Sequence, residues 1–385
     1  MPEQFRGRNM TLTANEEIGL MQEFGLADGH AYHDLDAHQL AIVTSLPEIW
    51  RQASIRKHVE VEREFASAFY TLARQSNRVS DSRFKICTSA SQSIDVVARL
   101  LSQLRLSVGL IEPTFDNLAL LLRRWRVPLV SVNFNDLQKP EALAKGGIGF
   151  DVLFLVLPNN PTGEYLTIEE FTEVVIYCKY ARKVLVVDFC FRFFAPVSGD
   201  FFAIMDDAGI DYICVEDTGK TWPTLDMKAS LLVYSDRFAA DLEDIYAEVF
   251  LCVSPFVLSV LTSFTRAPSV NEGNNVLWAL VENRHRCLEA ALAGTNFQNL
   301  RSNQTSRMPV AWIAINGGRT DDLEVMRVLQ KNGVACLPGR YFYWDSHERN
   351  GHNRIRVALL KPSKIFNAGV ERLREVLTGD FATVR

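Results

Sequence analysis

The segment Val215-Glu216-Asp217-Thr218-Gly219-Lys220-Thr221-Trp222-Pro223 is an apolar run that opens into a small-residue turn holding one lysine, and Lys228 follows eight positions later. An amine displayed at a strand end is suited to condensing with a carbonyl, although a lysine after a strand is equally at home as a solvated loop residue. The groups such chemistry needs stand upstream, in order. Asp188 ends the apolar run Val184-Leu185-Val186-Val187, where a buried carboxylate needs a cationic partner such as a protonated ring nitrogen; a cap or turn aspartate is the other reading. Thr88-Ser89-Ala90-Ser91-Gln92-Ser93 leads into a helical pattern, and free amides at a helix N-terminus suit a phosphate as well as an ordinary N-cap. Phe115, in Pro113-Thr114-Phe115-Asp116-Asn117, is placed either to stack on a planar ring or to fill the core. Pro158-Asn159-Asn160-Pro161-Thr162-Gly163 is the most specific short signal, because a plain turn does not need two asparagines before Pro-Thr-Gly. Arg356 alternates with apolar neighbours in Arg354-Ile355-Arg356-Val357-Ala358-Leu359, and its planar fork suits a carboxylate; an arginine on a surface strand is the alternative.

Such residues need a scaffold that gathers strand ends. Short apolar stretches recur between helix-period segments at 84–88, 107–111, 129–134, 151–157, 183–188, 211–216 and 230–234. Most are apolar on both faces, as in strands sandwiched between helices. The expectation is an α/β fold whose large domain holds a mostly parallel, seven-stranded sheet, with ligands at the carboxyl ends of the strands. Beyond Ala267-Pro268 the pattern changes to helices at 275–293, 321–331 and 363–377 and strands at 310–315, 334–337 and 354–359, a smaller α+β domain. The expected division is 1–40, an N-terminal segment that packs as a lid on the small domain and active site; 41–270, the large domain; and 271–385, the small one. In the N-terminal segment an amphipathic helix is expected over 13–25, opened by a Thr13–Glu16 capping box and broken at Ala27-Asp28-Gly29-His30; a long helix is expected over 54–72.

The 385 residues are 48% hydrophobic, with a net charge of -5 and a pI near 5.9, which gives no basic footprint for nucleic acid. Seven cysteines are scattered without a CxxC pair, the pattern of a reducing compartment without a structural zinc site. The polar N-terminus MPEQFRGRNM lacks the apolar core of a signal peptide. The apolar run Val249 to Leu261 is too short and interrupted to span a bilayer, and is expected as a core or subunit-interface helix. A cytoplasmic protein without a membrane or nucleic-acid partner is the expectation.

In order and spacing, Asn160-Pro161-Thr162-Gly163, Asp188, Lys220, Lys228 and Arg356 resemble the fold-type-I pyridoxal phosphate (PLP) enzymes of the aminotransferase class I/II superfamily, over nearly the whole chain. The resemblance implies that Lys220 holds the cofactor aldehyde, Asp188 pairs with the pyridine nitrogen and Asn160 binds the ring hydroxyl. Ala90, Ser91 and Lys228 are implied for the phosphate, Phe115 for stacking on the ring, Cys190 for a further cofactor contact and Arg356 for the substrate α-carboxylate. A homodimer with sites at the subunit interface is implied, and neither metal nor flavin. Three positions depart from the usual pattern: Phe191 replaces a tyrosine, Asp217 a serine and Lys228 an arginine.

Thr13-Ala14-Asn15-Glu16, Ala27-Asp28-Gly29-His30-Ala31, Thr114-Phe115-Asp116-Asn117 and the run 216–226 further resemble the PLP-dependent, oxygen-using L-arginine hydroxylases and oxidases of enduracididine-type biosynthesis. That resemblance implies L-arginine and dioxygen as substrates, with Thr13, Glu16, Asp217 and Asn160 on the substrate. It implies 4-hydroxy-2-oxoarginine and 2-oxoarginine as products, with ammonia and peroxide. It makes His30 the residue needed for hydroxylation, as a base or a positioner of water; a structural histidine is the competing use. Two carboxylates suit a guanidinium, whereas a capping box gives Glu16 a purely local job. A conventional aminotransferase acting on a basic amino acid, and a catalytically silent homologue, are the rival readings.

Overall fold

Val152-Leu153-Phe154-Leu155-Val156 and Val184-Leu185-Val186-Val187-Asp188 present side chains to helices on both sides, and in the folded chain every one of these residues is buried. The computed structural model describes residues 10–78, 81, 83–137, 149–196, 199–267, 275–301, 307–317, 320–346, 350–379 and 381. The polar N-terminal stretch up to residue 9, Pro268 and the expected domain boundary at 270 lie outside the described residues. In chain order the strands are β1 (Phe24–Gly25), β2 (Phe84–Cys87), β3 (Val108–Glu112), β4 (Leu129–Asn133), β5 (Val152–Val156), β6 (Val184–Asp188), β7 (Tyr212–Val215), β8 (Ser230–Tyr234), β9 (Phe297–Leu300), β10 (Val310–Ile315), β11 (Val334–Ala335), β12 (Leu337–Pro338) and β13 (Arg354–Ala358).

The expected seven-stranded sheet forms in the order β2-β8-β7-β6-β5-β3-β4. Strand β8 pairs antiparallel with β2 and β7, and the other neighbours pair parallel. The consequence is geometric. The carboxyl ends of β2, β3, β5, β6 and β7 gather at one edge, and β8 starts from that same edge, which returns Lys228 to it. A second sheet, β12-β13-β10-β9, is antiparallel, and β1 pairs with β11 in a separate two-stranded ribbon.

Four local expectations are corrected. The N-terminal helix spans Leu12–Gly19 rather than 13–25, because the chain turns there: a side chain on Gly25 would meet the Gly19 carbonyl oxygen at 2.6 Å, and Phe24–Gly25 pairs with Val334–Ala335 instead. Its N-cap is Thr11, whose hydroxyl accepts the Ala14 amide, so the Thr13–Glu16 capping box does not form. The helix expected over 54–72 starts four residues later, as His58–Leu72, and the strand expected over 334–337 is split between β11 and β12. The apolar run from Val249 feeds helix Pro255–Arg266, whose inner face is buried. Among the described residues no helix is long and apolar enough to cross a membrane.

Candidate active site

The turn that presents Lys220 is fixed from both sides. Thr218 exchanges hydrogen bonds with the backbone of Ala229, the Glu216 amide donates to the Leu231 carbonyl, and the Ala31 amide donates to the Gly219 carbonyl. Beyond the lysine, Trp222 is wholly buried against Phe69 and Phe193. Gly219 cannot carry a side chain without displacement, since a Cβ there would lie 3.0 Å from Lys228 Cδ and 3.1 Å from His30 Cδ2. The turn is therefore packed against the loop from the N-terminal segment.

These elements enclose a cavity of about 250 Å³. Its wall includes all the residues singled out from the sequence: Thr13, Glu16, His30, Ala90, Ser91, Phe115, Asn160, Asp188, Cys190, Asp217, Lys220, Lys228 and Arg356. Phe191 lines it too, with Ser89, Ile94, Asn117, Leu118 and Val156.

The electrostatics fit a bound pyridoxal phosphate. Burial raises the pKa of Asp188, and the charge of Asp217 adds to this; hydrogen bonding from Cys190, whose amide donates to Oδ1 at 2.8 Å, and the Lys220 ammonium oppose it. A carboxylate so desolvated is stabilised by a cation, which a protonated pyridine nitrogen supplies. Lys220 has no hydrogen-bond or ion-pair partner among the described residues, leaving its amine free for an aldehyde. Helix Ala90–Gln103 begins at the cavity wall, its N-cap Ser89 accepting the Gln92 amide, and the Ser91 amide has no acceptor among the described residues. That free amide and the Lys228 ammonium suit a phosphate. Asp217 is more committed than its sequence position implied: its oxygens accept the Ala90 amide at 3.1 Å and the Gly219 amide at 2.5 Å.

His30 is held at both ring nitrogens, with Nδ1 2.5 Å from Asp28 Oδ1 and Nε2 3.0 Å from Lys228 Nζ. Because Asp28 is a carboxylate, the His30 ring donates to it from Nδ1. Burial works against the charge on Asp28, but the hydrogen bond from His30 and the charges of Lys361, His30 and Lys220 outweigh it and hold the carboxyl below its usual range. Arg356 is buried, not on a surface strand. Its guanidinium donates to Glu16 at 3.3 Å, to Asn160 Oδ1 at 3.5 Å and to the Ala27 carbonyl, and its Nε has no partner among the described residues.

Sequence reasoning did not assign roles to Asp28, Asp116 or the pair Arg192–Glu216. Asp28 had a signal, its place two residues before His30. The Arg192–Glu216 pair had none: a bidentate bridge between buried groups, with the guanidinium 3.8 Å over the Phe189 ring, joins residues 24 apart in sequence.

With this geometry in place, comparison with known proteins decides the family. The family model for aminotransferase class I and II matches residues 51–372. The chain belongs to that family. It is a fold-type-I, PLP-dependent enzyme of the aminotransferase superfamily. Among solved structures it is similar to MppP, soaked with the product 2-ketoarginine, at 34% identity and a TM-score of 0.84, covering 91% of this chain and 98% of that one. It is also similar in fold to YbdL from Escherichia coli, for which a methionine aminotransferase function was identified, at 16% identity and a TM-score of 0.73 over 96% of this chain and 98% of that one. The aromatic aminotransferase ISS1 of Arabidopsis thaliana is 23% identical over 300 residues, 72% of this chain and 71% of that protein.

Proposed function

We propose that this enzyme oxidises L-arginine with dioxygen, giving 4-hydroxy-2-oxoarginine, 2-oxoarginine or both, with ammonia and peroxide. The observation that carries the reading is the charge layout of the cavity: one guanidinium, Arg356, and two carboxylates, Glu16 and Asp217, line the same space as Lys220 and Asp188. A substrate with a carboxylate at one end and a guanidinium at the other matches both signs. Similarity to a protein soaked with 2-ketoarginine supports the same choice.

When bound, PLP supplies an electron sink for the substrate Cα. The residues of the chain do the rest. Ala90, Ser91 and Lys228 bind the phosphate, Phe115 packs on the ring face, Asn160 and Cys190 complete the contacts, and Asp188 keeps the proton on the ring nitrogen. Arg356 orients the α-carboxylate, while Thr13, Glu16, Asp217 and Asn160 hold the substrate from its other side. The Lys220 amine takes the Cα proton, and the electrons released go to dioxygen. Phe191 offers no hydroxyl to the ring oxygen where a tyrosine would. A second two-electron oxidation by dioxygen, releasing a second peroxide, leaves a double bond in the side chain, and His30, held at Nδ1 by Asp28, positions the water that adds across it.

The geometry of His30 gives a test. His30→Ala is expected to retain 2-oxoarginine formation and lose the hydroxylated product, read by mass spectrometry; unchanged product ratios contradict the role. A conventional aminotransferase is the second reading, favoured by the family match and by relatives such as ISS1. It differs in requiring a 2-oxo acid acceptor and no oxygen. We place the enzyme in the cytoplasm as a homodimer. Trp50 at 61% exposure, Ile55 at 85% and Leu251 at 93% are apolar side chains that a second copy would cover, and a doubled mass in sedimentation is the check.

A further inference from the structure

Helix Leu12–Gly19 brings Thr13 and Glu16 to the cavity, yet it is only eight residues long and its C-terminal end exposes Leu20 and Met21. An isolated helix of that length is unstable in water, so its position depends on what grips it. The grip is at its first turn. The Leu12 amide donates to Asp116 Oδ2 at 2.9 Å, a buried hydrogen bond between residues 104 apart. The Leu12 side chain is fully buried in a small apolar cluster with Ala27, Trp312, Ala335, Leu337 and Phe342, against which Phe115 packs.

Asp116 is a costly choice for a residue that only packs. It is 6% exposed, and its Oδ1 has no partner among the described residues. Burial raises its pKa to about 7; the Leu12 amide acts against this, the negative charge of Glu16 adds to it and the Asn117 amide opposes it. An apolar residue of similar shape avoids that desolvation. What it lacks is an acceptor for the first amide of a helix, where the dipole also favours an anion. Asp116 directly follows Phe115, so the clasp and the aromatic wall of the cavity share one backbone segment.

We propose that Asp116 is a positioning residue for substrate recognition: through the Leu12 N–H it clasps the helix that holds Thr13 and Glu16 over the cavity. The identity of the substrate rests on the function proposed above; the clasp does not.

The test is amide hydrogen exchange on the full-length, PLP-loaded protein without substrate, comparing the natural chain with Asp116→Leu and Asp116→Asn. Asparagine keeps an acceptor oxygen and the shape, so it also guards against a leucine variant that fails to fold. Asp116→Leu is expected to speed exchange over residues 12–19 by roughly tenfold or more while the seven-stranded sheet stays protected, with Asp116→Asn between the two. Steady-state kinetics are expected to show KM for arginine raised more than kcat is lowered. Unchanged exchange over 12–19 overturns the clasp, and so does protection lost uniformly across the sheet, which marks a general structural role. Selective loss at 12–19 with KM unmoved overturns the link to recognition. If the natural chain does not turn over arginine at all, the proposed function fails, and the exchange comparison still decides the clasp.

Discussion

Glu16 and Arg356 meet at 3.3 Å, so an amino acid that engages both must replace what each gives the other. An arginine can do so, its carboxylate taking Arg356 and its guanidinium taking Glu16. An amino acid with a neutral side chain leaves a carboxylate stranded in a partly buried wall, which costs more than a missing contact. Glu16→Gln is therefore expected to lower kcat/KM for arginine by about 10- to 100-fold, while the penalty against the neutral isostere citrulline shrinks. Equal losses on both substrates would remove Glu16 from specificity. At this scale the types of the site residues were legible and their partners were not. Glu16 read as a carboxylate near a threonine, which suggested a local capping box; Thr11 does the capping, and the true partner of Glu16 lies 340 residues away. Asp217 read as a free carboxylate beside the lysine, and the backbone amides of Ala90 and Gly219 already engage it. Long-range pairs of this kind depend on which loops the sheet brings together, and spacing along the chain does not encode that.

Among the elements, β6 and β7 carry the central pair, Asp188 at one strand end and Lys220 five residues past the other. Arg192 and Glu216 bridge the two connections, the guanidinium meeting the carboxylate at 2.6 Å with both side chains buried. The bridge braces the aspartate loop against the lysine turn. Removing one partner strands a buried charge, so Arg192→Met is expected to destabilise the fold by about 3–5 kcal/mol, with the double variant Arg192→Met, Glu216→Leu recovering much of it. Denaturant titration of the three proteins checks this, and a single variant as stable as the natural chain would show the bridge to be dispensable. The strands themselves were legible because apolar runs bounded by polar turns have few other fates; each run named for the large sheet became a strand of it. The edges of elements were less so. Gly19 and Gly25 approach each other to end the first helix early, and β11 and β12 leave one apolar run for two different partners.

For the whole molecule, the family match begins at residue 51, after Thr13, Glu16 and His30. The family model thus spans the scaffold and begins after the segment that brings those three residues to the cavity. Acid stability belongs to this scale as well. His33 and His285 are buried, and burial lowers both to about 4, so they stay neutral in the fold. The unfolded chain takes up protons at both below its ordinary value of about 6.5, and the folded chain does not until about 4. Stability is therefore fully present above about 6.5 and lost as pH falls through that window, by about 3 kcal/mol for each histidine. The denaturant midpoint should fall between pH 7 and pH 4.5, and the slope should ease in His285→Gln; a flat profile contradicts the assignment. The proposed chemistry is tested most directly by oxygen uptake by the purified, PLP-loaded protein on adding L-arginine alone, with ammonia and oxo acids followed by mass spectrometry. Uptake accompanied by ammonia and 2-oxoarginine or its 4-hydroxy form is the predicted result. Oxygen that stays flat, with turnover beginning only when a 2-oxo acid acceptor is supplied, would contradict the account and make the protein a conventional aminotransferase.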